Sequence, residues 1–133
     1  MKYTPVQNYI NGKFTDSSSL RTLDVVSPID GNLLSKVPMS TAKDLDEAVK
    51  AAKAAFPSWS RTPIKERVQV FFRYKYLLEK NLKELAELCS EENGKTYNES
   101  VAEIEKCIEL TEFACSLPQL VTGEILEVSR GVE

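Results

Sequence analysis

A change of hydrophobic period at Ser40 constrains this chain more than any other feature of its sequence. Before Ser40, apolar residues alternate in short runs broken by turn residues. After it they recur every three or four positions as far as Pro118. A period of two alternates side chains between the faces of a strand, whereas a period of 3.6 lines one face of a helix. The chain therefore reads as short strands followed by a series of amphipathic helices.

In Tyr9-Ile10-Asn11-Gly12-Lys13-Phe14 an Asn-Gly pair sits between strand-favouring residues, and that pair tolerates the positive φ angles of a two-residue hairpin turn. Asp16 to Ser19 form a polar loop. Leu23 to Val26 and Leu33 to Val37 then flank Pro28-Ile29-Asp30-Gly31, whose early proline and late glycine suit a tight turn and predict a second hairpin.

Four helices follow in the pattern. Thr41 and Asp44 have the spacing of a capping box, and Leu45, Ala48, Val49, Ala52, Ala55 and Phe56 make a stripe that is expected to end at Pro57. Thr62-Pro63 opens a second helix through Ile64, Val68, Phe71, Phe72 and Leu78, because proline at the first helical position gives up only an unpaired N–H. Asn81 marks a break, and Leu82, Leu85, Ala86 and Cys89 form a third helix ending at Asn93-Gly94. Thr96 and Glu99 repeat the capping box for a fourth helix with the stripe Val101, Ile104, Ile108, Thr111 and Cys115, closed by Pro118. Gly123 to Ser129 alternate like the start of a strand whose partner is not visible, so an unfinished sheet is expected. No repeat of about 34 residues is present, which argues against a helical solenoid.

Composition narrows the function. A net charge of −3 supplies no basic field for nucleic acid or an anionic membrane. No run approaches the roughly 20 apolar residues of a membrane span, and Met1-Lys2-Tyr3-Thr4-Pro5 lacks a signal-peptide core, so a soluble cytoplasmic protein is expected. With no histidine, every Ser-His or Cys-His pair and every His-ligated metal is excluded from this chain. The three cysteines are widely spaced and read as free thiols. Cys89 and Cys115 fall on apolar stripes, where cysteine behaves as a small hydrophobe; Cys107 lies near a charged face with no base to activate it.

Several stretches together resemble the N-terminal region of the aldehyde dehydrogenase superfamily: Tyr9 to Phe14, Val26-Ser27-Pro28-Ile29-Asp30-Gly31, Asp44 through Phe56-Pro57-Ser58-Trp59, and Glu91-Glu92-Asn93-Gly94-Lys95. Their order and spacing match the family along nearly the whole chain. Asn8 to Gly12, Glu112-Phe113-Ala114-Cys115-Ser116-Leu117-Pro118 and Gly131-Val132-Glu133 look most like the CoA-acylating methylmalonate-semialdehyde dehydrogenase branch.

The resemblance implies an α/β fold for the full protein, with this segment mainly α. Residues 1–40 are expected to form the hairpins, residues 41–122 a helical layer over a nucleotide-binding sheet, and residues 123–133 the start of a strand leading to an oligomerisation sheet. It further implies an NAD- or NADP-dependent oxidation of a small aldehyde, such as methylmalonate or malonate semialdehyde, through a cysteine thioester resolved by water or coenzyme A. The nucleophile and the cofactor site would lie downstream of Glu133, leaving this segment as scaffold of a homodimer or homotetramer.

Three residues of this segment receive site roles from the resemblance. In the semialdehyde branch the fourth helix carries an arginine that grips the substrate carboxylate. The matching position is Lys106, followed by Cys107 where glycine is usual; lysine keeps the charge without the planar fork. Glu92 matches a carboxylate that, with a backbone carbonyl near Val26, helps hold a monovalent cation in several members, and hard oxygen donors suit such an ion. A plain surface carboxylate at a helix end is the alternative for Glu92. For the chain as a whole the alternative is a standalone helical interaction module without catalysis.

Overall fold

The computed structural model describes residues 1–123. The strand expected from Gly123 to Ser129 lies, beyond Gly123, outside the described residues.

Two antiparallel hairpins open the chain. Strands β1 (Asn8–Ile10) and β2 (Lys13–Thr15) pair with Tyr9 opposite Phe14, and the turn between them holds Asn11 at φ 52 and Gly12 at φ 75, as the Asn-Gly pair predicts. The Tyr9 and Phe14 rings meet at 5.0 Å in a tilted arrangement. Strands β3 (Thr22–Val26) and β4 (Leu33–Pro38) form the second hairpin, with Asp24 opposite Lys36 and the pair joined by an ion bridge of 2.8 Å.

The second hairpin closes through a wider loop than a tight turn. Ser27 N–H donates to Asn32 O at 2.9 Å, Gly31 N–H donates to Ser27 O at 2.8 Å, and the Asp30 carboxylate accepts from Asn32 N–H at 3.0 Å. An irregular register at Val25 and Val26 supplies the extra length.

Helix α1 (Ala42–Trp59) starts at the expected capping box: Thr41 Oγ1 accepts from Asp44 N–H while the Asp44 carboxylate accepts from Thr41 N–H. It does not stop at Pro57. The proline sits in the last turn, where its fixed φ suits a helix and the missing N–H forfeits one bond, and Ser60 N–H closes the end on Phe56 O at 2.9 Å.

The single helix expected after Pro63 is divided into α2 (Ile64–Arg67) and α3 (Gln69–Lys80). Val68 between them keeps a helical backbone, and its carbonyl accepts from Phe71 N–H at 2.9 Å as well as from Phe72 N–H at 3.3 Å. The division is thus a tightened turn at Val68 that contains no helix-breaking residue. Helix α4 (Leu82–Asn93) ends on Gly94 at φ 68, and α5 (Tyr97–Cys115) begins at the Thr96–Glu99 capping box. Pro118 does not close α5, which stops at Cys115. It lies instead in the first turn of a short α6 (Leu117–Leu120), where its missing N–H costs nothing.

Helix α5 packs on both α3 and α4, and α6 meets α2. The buried apolar residues among those described are Leu34, Val68, Leu78 and Ala86. Buried Ser100 and Thr111 return their hydroxyls to helix carbonyls, Thr96 O at 3.1 Å and Cys107 O at 2.7 Å, so neither stays unpaired. Large apolar side chains stay in the open: Leu45 is 66% exposed, Phe56 67% and Phe113 65%. The helical layer thus has one face packed within itself and leaves a row of large apolar side chains on the other open.

Candidate functional site

Helix α5 carries the first candidate. Its capping box fixes where the helix begins, and from there the 3.6 period places Lys106, Leu110 and Phe113 on one exposed face. The Lys106 ammonium pairs with the Glu109 carboxylate at 2.6 Å, and both side chains are largely in solvent. An apolar strip interrupted by one cation is chemically suited to a small molecule with an aliphatic body and a carboxylate. The Lys106–Glu109 pair is exposed, and such pairs are weak, so the ammonium stays open to a competing anion.

Val26 and Glu92 come from different elements. Val26 ends β3 at the irregular register, and Glu92 lies in the last turn of α4; both are exposed. Their neighbourhoods adjoin, because a Cβ placed on Gly94 would lie 3.1 Å from Pro28 Cγ, so the β3–β4 loop rests on the α4 terminus. Among the described residues no group of three or more His, Cys, Asp or Glu side chains could hold a metal. One carboxylate and one backbone carbonyl are two oxygen donors on adjoining elements, too few by themselves for a divalent-cation cage.

The thiols are not arranged for nucleophilic work. Cys89 donates to Glu103 Oε2 at 3.0 Å, and that carboxylate, with burial, pushes the thiol above its ordinary range. A thiol held protonated is a poor nucleophile. Cys107 is exposed and Cys115 half-buried.

Two polar centres gain distant partners that no local signal in the sequence names. Asp44 is the cap carboxylate of α1, yet it is buried and also receives Ser17 Oγ at 2.8 Å and Ser18 N–H at 2.9 Å from the polar loop. Backbone donation from Thr41 and Ser18, with the Ser17 hydroxyl, holds its carboxyl far below the usual range. Glu91 binds the Lys2 ammonium and, at 2.7 Å, the Tyr3 hydroxyl. The serine run flags a loop without naming its partner, and nothing in sequence links residues so far apart as Tyr3 and Glu91.

A cleft of about 650 Å³ lies beside Glu91, lined also by Lys2, Asp30, Leu33 and Leu34. A more apolar one of about 410 Å³ separates β1 from the start of α1, between Tyr9, Ile10, Leu45 and Ala48. Neither is lined by Lys106 or a cysteine.

Residues 14–133 match the aldehyde dehydrogenase family. The chain belongs to that family. It is 45% identical over 129 residues to malonate-semialdehyde dehydrogenase 1 of Geobacillus thermodenitrificans, covering 96% of this chain and 27% of that protein. In three dimensions it is similar, with a TM-score of 0.91 and 34% identity, to a Sinorhizobium meliloti protein solved with NAD and provisionally described as a methylmalonate-semialdehyde dehydrogenase; the match covers 98% of this chain and 27% of the other. Methylmalonate-semialdehyde dehydrogenase of Oceanimonas doudoroffii gives a TM-score of 0.87 at 34% identity, covering 92% and 25%. The chain therefore spans about a quarter of the length of these relatives. No helix among the described residues is long and apolar enough to cross a membrane.

Proposed function

We propose that this chain is the N-terminal scaffold of an NAD- or NADP-dependent aldehyde dehydrogenase that oxidises malonate or methylmalonate semialdehyde, with coenzyme A or water as acyl acceptor. The observation that carries this reading is the open apolar face of the helical layer, in a chain whose match to semialdehyde dehydrogenases runs over 96% of its own length and 27% of theirs. Residues 1–40 would form the hairpins, residues 41–122 the layer over the nucleotide-binding sheet, and residues 123–133 the lead into an oligomerisation sheet of a cytoplasmic homodimer or homotetramer.

In this reading the nicotinamide nucleotide is held by residues other than those of this chain. The chain's five glycines are scattered with no Gly-x-Gly-x-x-Gly loop, and the three described with positive φ serve turns or a helix end. No step of the oxidation is therefore assigned to them. Their part is positional. Lys106 offers a charge for the substrate carboxylate at the mouth of a site completed by other residues. Glu92 and the Val26 carbonyl offer oxygen donors for a monovalent cation that would tie the hairpin to α4.

The test is steady-state kinetics of the full-length polypeptide with NAD, coenzyme A and two aldehydes, malonate semialdehyde and propanal. The isolated chain should form no NADH. In the full-length protein, Lys106→Ala should raise KM for the carboxylated aldehyde about tenfold or more, the loss of one charge-assisted contact of roughly 1.5–3 kcal/mol, and leave propanal unchanged. Equal effects on both aldehydes would remove Lys106 from the substrate site; failure of the full-length protein to reduce NAD with either would favour a helical interaction module.

A further inference from the structure

The first six residues make no helix or strand of their own, yet they are tied along their length. Lys2 and Tyr3 N–H both donate to Leu34 O, at 3.0 and 2.8 Å, and Val6 N–H donates to Lys36 O at 2.8 Å. Leu34 and Lys36 are two apart on β4, so their carbonyls point to the same side, away from β3. Ser35 Oγ donates to Thr4 O at 2.8 Å and fastens the middle. The segment thus runs parallel to β4 and covers its outer edge, which would otherwise present unpaired carbonyls.

What holds the tip is different in kind. The Lys2 ammonium and the Tyr3 hydroxyl converge on one carboxylate, that of Glu91 on α4. Residues 1–6 are all exposed and bury no apolar anchor. Their attachment is therefore a few hydrogen bonds and this ionic fastening, which solvent and salt can reach. The β3–β4 hairpin has a seat of its own, where Pro28 and Ile29 rest against Gly94 at the end of α4. Releasing the tip need not lift the hairpin.

We propose that residues 1–6 are a strap latched at Glu91, which opens as a unit to bare the β4 edge and the cleft of about 650 Å³ whose wall is made in part by Met1, Lys2 and Glu91, while the hairpin stays seated. The strap is a conformational device of this segment and does not depend on the substrate or cation roles above. Acting through the Glu91 carboxylate, it is sensitive to anything that competes for that group.

Amide exchange in the full-length polypeptide tests it. In Glu91→Ala the Tyr3 and Val6 amides should exchange at least tenfold faster than in the unaltered protein, while the Ser27 and Gly31 amides of the hairpin loop keep their rates. In the unaltered protein, raising salt from low to molar concentration should speed the same two amides, and this salt response should vanish in Glu91→Ala. Unchanged Tyr3 and Val6 rates in Glu91→Ala overturn the latch. Acceleration of the strap and the hairpin loop together overturns the independent opening, because the two would then be one unit. Should Glu91→Ala fail to fold, absence of the salt response in the unaltered protein would by itself overturn the proposal.

Discussion

At the residue scale, Asp44 shows how far a local motif can be enlarged by its surroundings. As a cap residue it needs only Thr41, but the fold adds Ser17 and Ser18, so one carboxylate ties the polar loop to the start of α1. The depressed carboxyl has a defined consequence for pH. A group ionised more readily in the folded chain contributes stability that is complete above its unfolded pKa of about 3.9 and is lost as pH falls below that value towards the folded one. In an NMR titration the Ser18 and Thr41 amide signals should therefore hold their native positions down to about pH 4 and move only in more acidic solution. A midpoint at or above that value would contradict the buried environment in which Thr41, Ser17 and Ser18 donate to the carboxylate. Lys106 is the opposite case. Its charge was legible in the sequence, but its partner Glu109 and its exposure required the helix to be built.

At the element scale, the helix boundaries separate what local chemistry decides from what it does not. Both capping boxes and the Gly94 terminus sit where the sequence places them, because each satisfies orphan backbone groups within a few residues. The two prolines expected to end helices behave otherwise. Pro57 is absorbed into the last turn of α1 and Pro118 opens α6, since a proline is costly in a helix interior and cheap near an end. Gly94 carries a further demand, for it combines φ 68 with Pro28 at 3.1 Å from any added Cβ. Gly94→Ala should lower stability by about 1–2 kcal/mol from the left-handed backbone alone, with more from displacement of the β3–β4 loop. Urea unfolding of the full-length protein measures it; a loss below about 0.5 kcal/mol would mean that loop and helix end shift freely.

For the whole molecule, the decisive quantity is how little apolar surface the described residues bury. Leu34, Val68, Leu78 and Ala86 are a small core for helices that also display Leu45, Val49, Phe56, Trp59, Leu110 and Phe113. Small domains are already marginal when their cores are complete. Taken alone, the 133-residue chain should bind an environment-sensitive apolar dye strongly or associate with itself, whereas the full-length protein at the same molar concentration should do neither. Fluorescence titration with sedimentation separates the two; a monomeric chain with no dye binding would show that the helical layer is complete without further sheet.

Sequence by itself determined the order of elements, the capped helix starts, the Asn-Gly turn and the family, because each rests on short-range periodicity or on residues a few positions apart. It also identified the charged and thiol groups and showed that none of these 133 residues is a histidine. Tertiary structure alone decided that Glu91 fastens the first residues, that Asp44 gathers the serine loop, that the β3–β4 loop sits on Gly94, and that the clefts beside Glu91 and between β1 and α1 leave Lys106 outside them. These contacts join residues tens of positions apart, and their partners are chosen by how the packed elements bring distant backbone together. No local preference encodes that choice.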